Sequence, residues 1–231
     1  MKLEELRKEL DLRRIDLTDR MAEQLDFYAR YLVEYNEKVN LTSITEYEDI
    51  IDKHFYDSLL FVDRKLEGTF VDVGTGAGFP GMVVKIVFPE LKVVLIEPIK
   101  KRCVFLESLI EKLGLSDIEV VNERAEDYSI KHREEYDYVT ARAVTNVSNL
   151  IEICGAMVKQ NGYFICLRGR DGRKEIEDGM KAIRTMKFDV EKVVDENLFN
   201  GDERVIAYLK KTDKTPSKYP RKYNIIKKNP L

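Results

Sequence analysis

A glycine-rich segment after the first predicted strand has the clearest chemical meaning in this sequence. Residues 72–81 read DVGTGAGFPG and directly follow the apolar run that begins at Thr69. Glycines permit positive φ and a close approach of the backbone to a ligand, so the segment predicts a cofactor crevice at the carboxyl end of a strand. Gly76, Gly78 and Gly81 also match the dinucleotide pattern GxGxxG. The glycines alone therefore leave a dinucleotide and a methyl donor open.

Two residues of this segment favour a methyl donor. Asp72 stands at the strand end, where its carboxylate can order the loop or bind the ammonium of a methionine moiety through water. Pro80 has no N–H, which removes one donor from a pyrophosphate cradle but costs a ligand without phosphates nothing. We therefore predict S-adenosylmethionine as the cofactor, and an NAD-dependent oxidoreductase is the alternative.

Acidic residues after the next two predicted strands extend this site. Glu97 ends the second strand, where a carboxylate can accept hydrogen bonds from both hydroxyls of an adenosine ribose. Residues 124–127, RAED, follow the third strand, where a methyltransferase places groups against the adenine edge. A surface turn is the competing interpretation of that segment.

A second group of polar residues is suited to hold a substrate. His54 and Asp57 lie three positions apart on one face of a predicted helix, where a hydrogen bond between packed helices is the alternative. Arg142 follows the fourth strand at the functional edge of the sheet, where the alternative is a surface ion pair. With Asn40 and Arg168, these residues are our candidates for substrate placement.

Metal and disulfide chemistry are not expected. Cys103, Cys154 and Cys166 have unrelated spacings, and His54 and His132 are the only histidines of the sequence. A tetrahedral zinc site needs about four clustered N or S ligands. We expect three buried thiols in a reducing compartment and no metal site.

Charge is distributed unevenly over the 231 residues. The net charge is -3, yet from Lys210 to the end eight basic residues stand against one acidic residue. Tyr219 and Tyr223 are interleaved with them and can stack on exposed bases, and a solvated surface is the alternative. We expect residues 212–231 to form a basic C-terminal tail that binds RNA. Deletion of residues 210–231 should then weaken RNA binding and spare cofactor affinity.

Hydrophobic periodicity indicates the elements that position these residues. Apolar residues recur at steps of three and four within residues 1–37 and 47–62, which predicts an N-terminal helical cap over residues 1–62. From Thr69 onward, short apolar runs alternate with amphipathic stretches, as in a βαβ sheet. We predict a methyltransferase domain over residues 63–211, with a mainly parallel sheet and an antiparallel edge. The predicted strands are 69–73, 92–96, 118–121, 136–140, 163–167, 188–194 and 204–209, and the helices between them are 81–88, 100–113, 147–158 and 173–186.

Targeting signals are not apparent. The first ten residues, MKLEELRKEL, are charged throughout, and no apolar run approaches the length of a membrane span. We expect a cytoplasmic protein without a membrane partner. No feature suggests a stable oligomer, so a monomer is expected.

Several segments, taken in order, resemble the RsmG (GidB) family, bacterial methyltransferases that act on N7 of a guanine in 16S ribosomal RNA. They are the segment 72–81 and NLTSI at 40–44, KHFYDSL at 53–59, KRCVFL at 101–106, RAE at 124–126, ARA at 141–143, YPRK at 219–222 and KNPL at 228–231. The resemblance covers nearly the whole chain. It implies an α/β class I S-adenosylmethionine-dependent methyltransferase fold, a Rossmann-like seven-stranded sheet whose last strand is antiparallel. It also implies 16S rRNA or the small ribosomal subunit as the partner.

The resemblance further implies which residues contact the cofactor. These are Gly74, Phe79, Ala125, Glu126 and Arg142, which join Asp72, Gly76, Gly78 and Glu97 from the residue-based reasoning. The sequence departs from the family pattern at Lys53, where Arg is usual, at Ala141, where Ser is common, and at Arg168, where Lys is usual. Arginine and lysine differ in hydrogen-bonding geometry, so these departures affect fine positioning.

An N7 target would determine what the enzyme has to do. Guanine N7 has an in-plane lone pair and no proton, so direct displacement needs no general base. We predict that the main task is alignment of N7 with the methyl group and that no proton-transfer residue is indispensable. Because A-form RNA hides N7 in a narrow major groove, the guanine must lie in an accessible loop or be splayed out. A non-catalytic RNA-binding module on the same fold is the remaining alternative.

Overall fold

The computed structural model describes residues 1–62, 65–142 and 145–231. The predicted boundary between cap and domain falls at residues 63–64, and the last residue of the ARA segment is Ala143. Both lie outside the described residues.

Helices occupy the N-terminal region, as the apolar periodicity predicts. The side chain of Thr18 accepts a hydrogen bond from the N–H of Met21 and thereby caps the second helix. A π-helical segment (Ile51–Tyr56) joins two α-helical pieces without a break in the helical backbone. The helices are α1 (Leu3–Leu12), α2 (Asp19–Asn36), α3 (Tyr47–Ile50) and α4 (Asp57–Leu59).

A mixed sheet of seven strands forms the centre of the described chain. Its order is β3-β2-β1-β4-β5-β7-β6. Strands β1 to β5 pair in parallel, whereas β7 is antiparallel to both of its neighbours. The predicted fold class is therefore confirmed. The strands are β1 (Thr69–Val73), β2 (Lys92–Ile96), β3 (Ile118–Val121), β4 (Tyr136–Arg142), β5 (Val158–Arg168), β6 (Phe188–Asn197) and β7 (Glu203–Lys211).

The antiparallel strand lies one position inside the sheet rather than at its edge. Strand β7 carries the apolar run 205–209, all of it buried, and it sits between β5 and β6. Strand β6 alternates with many exposed polar residues and therefore takes the edge position.

Helices cover both faces of the sheet. The N-terminal helices α2 and α4 contact α5 (Gly81–Val87), and α2 also contacts α6 (Lys100–Leu113). The single helix predicted over 173–186 is divided at Gly179, where an added Cβ would lie 2.8 Å from a side-chain atom of Val147. The remaining helices are α7 (Ala125–Lys131), α8 (Val147–Cys154), α9 (Gly172–Asp178), α10 (Met180–Thr185) and α11 (Tyr223–Lys228). None of the described helices combines the length and apolar character that crossing a membrane requires.

The C-terminal segment, residues 212–231, packs on the domain instead of extending from it. Tyr219 and Ile226 are buried in the core cluster that also contains Leu150 of α8. Burial removes Tyr219 from the aromatic side chains that can stack on RNA bases. Apolar side chains within the basic run thus dock this segment on α8, and its binding of RNA stays a prediction.

The sheet order reverses between β1 and β4. Val73 at the end of β1 pairs with Ala141 near the end of β4, so the loops that follow both strands emerge side by side. In open α/β sheets ligands bind at this position, beyond the carboxyl ends of the strands. The glycine segment, Glu97, residues 124–126 and Arg142 all lie at this edge.

Candidate cofactor and substrate site

The glycine segment turns sharply between β1 and α5. Gly74, Gly76 and Gly78 have φ values of 67°, 63° and 108°, a region that favours glycine. A Cβ on Gly78 would lie 2.6 Å from the hydroxyl of Tyr28, which itself donates a hydrogen bond to the carbonyl of Ala77 at 2.5 Å. The helical cap thus holds the loop through α2.

Asp72 ties the two ends of this loop together. Its Oδ2 accepts hydrogen bonds from the hydroxyl of Thr75 at 2.6 Å and from the N–H of Gly81 at 2.8 Å. Its Oδ1 is buried and has no hydrogen-bond partner among the described residues. Burial raises the pKa of this carboxyl to about 6, and the two hydrogen bonds oppose that rise. Asp72 therefore orders the loop, and its second oxygen stays unpaired, buried and outside the described linings of the two cavities.

The carboxylate of Glu97, directly after β2, accepts hydrogen bonds from two backbone N–H groups. One oxygen accepts from the N–H of Gly76 and the other from the N–H of Ile99, each at 2.9 Å. The side chain is buried and stands outside the described lining of the cavity that follows. A carboxylate has about four acceptor sites, so lone pairs are left for ribose hydroxyls.

A cavity of about 260 Å³ opens beside the glycine loop. Three of the predicted cofactor contacts, Gly74, Ala125 and Glu126, line it. Segment 124–127, for which a surface turn was the alternative, begins helix α7 at Ala125. Two further lining residues had been noted in the sequence: Arg124 belongs to the predicted segment 124–127, and Tyr223 was expected to stack on RNA bases. The others are mostly apolar, which suits an adenine ring, and were not predicted because they carry no distinctive chemistry: Val73, Ile96, Pro98, Thr145, Leu150, Ile153 and Cys154.

A second cleft, of about 450 Å³, lies at the same edge of the sheet. Four of the five candidates for substrate placement line it, namely His54, Asp57, Arg142 and Arg168. Asn40 is exposed and stands outside the described lining of this cleft. The neighbouring Asn36 orders that loop instead, because its side-chain oxygen accepts from the N–H groups of Leu41 and Thr42. The remaining lining residues are Ile44, Lys53, Leu167, Gly169, Glu175, Asp202 and Arg204.

Asp57 joins two arginines of this cleft. Its Oδ2 accepts from Arg142 at 3.0 Å and its Oδ1 from the Nε of Arg204 at 2.8 Å. The Asp57 side chain is 9% exposed, and those of Arg142 and Arg204 are 21% and 23% exposed. Sequence reasoning missed Arg204, which stands near the start of β7 without a local motif. The carboxylate fixes the direction of both guanidinium groups.

His54 lies in the π-helical segment and faces the same cluster. One ring nitrogen is 2.9 Å from the hydroxyl of Thr42, and the other is 3.4 Å from Arg142. Burial and the positive charge of Arg142 lower the pKa of His54 to about 3. The imidazole is therefore neutral near pH 7. π-helical turns often occur at functional sites, in keeping with this placement.

Phe79 connects the glycine loop to the substrate cleft. Its ring stacks on His54 at a centroid distance of 4.2 Å and on Tyr28 at 5.4 Å, and the Arg142 guanidinium lies 5.2 Å from its centroid. The side chain is buried and stands outside the described lining of both cavities. Its ring is therefore held among Tyr28, His54 and Arg142, and the predicted contact of Phe79 with a cofactor stays a prediction.

Arg168 pairs with Glu175 at the far side of the cleft. Its Nε is buried and has no hydrogen-bond partner among the described residues. The role of Arg168 in substrate placement stays a prediction.

Metal ligands are not grouped in the described parts of the chain, where no three His, Cys, Asp or Glu side chains are placed to hold an ion. Cys103, Cys154 and Cys166 are buried free thiols. Cys154 lines the apolar cavity as a small hydrophobic residue.

Comparison with known proteins connects this geometry to a family. The family model described as rRNA small subunit methyltransferase G (GidB) matches residues 21–204. The chain belongs to the methyltransferase G family. A methyltransferase G from Bacillus velezensis is 42% identical over 237 residues, which cover 100% of this chain and 99% of the relative. One from Lactobacillus acidophilus is 42% identical over 239 residues and covers both chains completely. The family predicted from the sequence is confirmed.

Solved structures share the methyltransferase G fold at low sequence identity. A 16S rRNA (adenine(1408)-N(1))-methyltransferase mutant from Catenulisporales acidiphilia is similar with a TM-score of 0.53 and 17% identity, covering 68% of this chain and 88% of that one. A predicted O-methyltransferase from Agrobacterium tumefaciens gives a TM-score of 0.54 and 16% identity, covering 71% and 83%. These likenesses concern the fold alone.

Proposed function

We propose that the protein transfers the methyl group of S-adenosylmethionine to N7 of a guanine in 16S ribosomal RNA by direct displacement. One observation carries the proposal: a chain of the methyltransferase G family places an apolar cavity and an arginine-lined cleft at the same sheet edge. The cavity suits an adenosine, and the cleft suits a nucleotide of a polyanionic RNA.

The residues of the first cavity and of the glycine loop beside it fit the proposed cofactor. The unpaired, buried Oδ1 of Asp72 is an acceptor for the ammonium of the methionine moiety. Glu97 has lone pairs left for the ribose, and Ala125 and Glu126 lie where the adenine edge is expected. When bound, S-adenosylmethionine supplies an electrophilic methyl group on a sulfonium. The proposed contacts are Asp72, Gly74, Gly76, Gly78, Phe79, Glu97, Ala125, Glu126 and Arg142.

The second cleft has the properties needed to place the guanine. Asp57 holds Arg142 and Arg204 in fixed directions, so their donors are already oriented before RNA binds. Near pH 7 His54 is a neutral imidazole and not an imidazolium acid, and a guanine N7 has no proton to lose. The residues of the cleft therefore act by binding and orientation. Asn40, on the exposed loop beside Thr42, is a candidate for contact with RNA outside the cleft.

Partner, location and assembly follow from this reaction. The partner is 16S rRNA, free or within the small subunit, and the place of action is the cytoplasm, where bacterial ribosomes are assembled. The monomer contains both cavities within one chain, in keeping with activity as a monomer.

Methyl transfer to RNA from a strain that lacks its own methyltransferase G tests the proposal. Purified protein is incubated with tritiated S-adenosylmethionine and either naked 16S rRNA or small subunits, and the RNA is then cleaved chemically at N7-methylguanine. We expect label in 16S rRNA and cleavage at one guanine, with strong loss of label for Arg142→Ala. Label confined to small molecules, or in RNA without N7-specific cleavage, would contradict the proposal. Binding of NADH in place of S-adenosylhomocysteine would support the oxidoreductase alternative.

A further inference from the structure

The C-terminal segment forms one wall of the apolar cavity. Tyr223, the first residue of α11, lines the cavity together with Gly74, Ala125 and Glu126. It is the only aromatic side chain among the described residues of that lining, and it is 36% exposed. Its ring thus reaches from solvent to the cavity.

Buried charge holds this wall in place. The side chain of Glu152, fully buried in α8, accepts hydrogen bonds from the backbone N–H of Arg221 at 3.1 Å and from its guanidinium at 2.7 Å on each oxygen. The same guanidinium donates to the carbonyl of Asn229 at 2.9 Å and so joins both ends of α11. Arg133 donates to the carbonyl of Tyr219 at 2.6 Å. Bidentate pairs of this kind fix geometry as well as adding stability, so Tyr223 starts from a defined position.

The opposite wall of the cavity also contacts Tyr223. The guanidinium of Arg124 lies 4.8 Å from the centroid of the Tyr223 ring, and its Nε donates to Glu126 at 3.0 Å. Glu126 belongs to the first turn of α7 and lines the cavity. Arg124 therefore links the C-terminal segment to the residues expected at the adenine edge.

We propose that Tyr223 is an adenine-binding residue, whose ring packs on the adenine of the methyl donor and closes the cavity on the C-terminal side. This inference rests on the proposed function, because it takes S-adenosylmethionine as the cofactor. The apolar side chains of Ile96, Leu150 and Ile153 supply dispersion around the base, and Tyr223 supplies the aromatic face for stacking.

The basic C-terminal segment then has a role in cofactor binding that its composition does not indicate. Its deletion was expected from the sequence to spare cofactor affinity. With Tyr223 in the cavity wall, loss of residues 210–231 instead removes a cofactor contact.

Titration calorimetry with two ligands tests the role of Tyr223. S-adenosylhomocysteine carries the adenosine and the amino-acid part, whereas 5′-methylthioadenosine carries the adenosine part without the amino acid. Tyr223→Ala is expected to weaken both ligands by a similar factor of at least about five, because base–aromatic stacking is lost. Tyr223→Phe keeps the ring and should bind both within about twofold of the wild type.

Two further variants locate the effect. Ile225→Ala changes an exposed residue of the same helix outside the described lining and should leave both affinities unchanged. Asp72→Asn should weaken S-adenosylhomocysteine but not 5′-methylthioadenosine, which has no ammonium. Tyr223→Ala should thus weaken both ligands, whereas Asp72→Asn should weaken only S-adenosylhomocysteine. This difference separates the contacts at the adenine end of the cofactor from those at its amino-acid end.

The outcomes that overturn the inference are distinct from those that overturn the function. If Tyr223→Ala melts like the wild type and binds both ligands with unchanged affinity, Tyr223 is not an adenine-binding residue. If Tyr223→Ala does not fold, Tyr223→Leu keeps the apolar bulk without the ring, and unchanged affinities there overturn the inference equally. If the wild type binds neither ligand, it is the proposed function that fails.

Discussion

Replacing Asp57 by asparagine isolates the charge on which the substrate cleft depends. The side chain keeps its size, but one carboxylate oxygen is replaced by an NH2 group that faces an arginine donor. The remaining oxygen loses its negative charge. Hydrogen bonds to charged groups contribute about 1.5–3 kcal/mol and neutral ones about 0.5–1.5 kcal/mol, so each of the two bonds loses about 1–1.5 kcal/mol. The total of about 2–3 kcal/mol corresponds to roughly a 30- to 150-fold decrease in kcat/KM for 16S rRNA. Because Arg142 and Arg204 are less than a third exposed, solvent screens only part of this effect.

The assay for Asp57→Asn is kcat/KM for 16S rRNA at saturating S-adenosylmethionine, with a melting curve for each protein. The matched control is Asp19→Asn at the start of α2, whose carboxylate forms a 2.8 Å ion pair with Arg7 at the surface, outside the described linings of both cavities. Exposed pairs contribute about 0.2–1 kcal/mol, so the control should stay within roughly fivefold of the wild type. The reasoning is refuted if Asp57→Asn melts normally and has the same kcat/KM as the Asp19→Asn control.

Four further outcomes are expected. S-adenosylhomocysteine affinity should fall below about pH 6 as buried Asp72 takes up a proton, and calorimetry of Asp72→Asn should show no such step. Since the folded pKa of Asp72 is raised above the ordinary 3.8, its ionisation opposes folding, and melts of the free protein should show stability falling as the pH rises through 4–6. Gly78→Ala should lower the melting temperature by more than about 5 °C, because its Cβ meets Tyr28, whereas the Cβ of Gly76→Ala meets only the carbonyl oxygen of Gly74, at 3.9 Å, so that variant should lower it less; equal shifts would contradict this. Arg168→Ala should reduce kcat/KM for RNA at least about tenfold and Arg168→Lys less, because lysine keeps the charge but not the planar fork; a fully active alanine variant would exclude a role.

The architecture could be predicted because its signals are local. Strands β1, β2 and β3 have the predicted bounds, since each is a short apolar run between turn residues. Strand β5 begins earlier than predicted, at Val158, because the polar residues 159–161 still continue the strand backbone. The cofactor loop was also predictable, because positive φ at its glycines and the position of Asp72 follow from the chain itself.

The rest of the site depends on contacts between distant parts of the chain. Arg204 is one of 39 lysines and arginines, and no local pattern distinguishes it before the sheet brings it to Asp57. The basic C-terminal run was interpreted from its charge, whereas its position is determined by Glu152, 69 residues away from Arg221. The apolar residues of α8 become a cofactor wall only when the helix packs beside the glycine loop.

The bridge formed by Asp57 also has a consequence for the order of folding. It joins Asp57 to Arg142 and to Arg204, which lie 85 and 147 positions further along the chain. Contacts of such separation are entropically unfavourable until intervening elements have formed, whereas helices such as α2 rest on local contacts. The cleft is therefore completed only after β7 has entered the sheet between β5 and β6. On refolding, helical structure should recover before methyl transfer, and a chain that has not finished folding has no oriented arginines with which to hold a guanine.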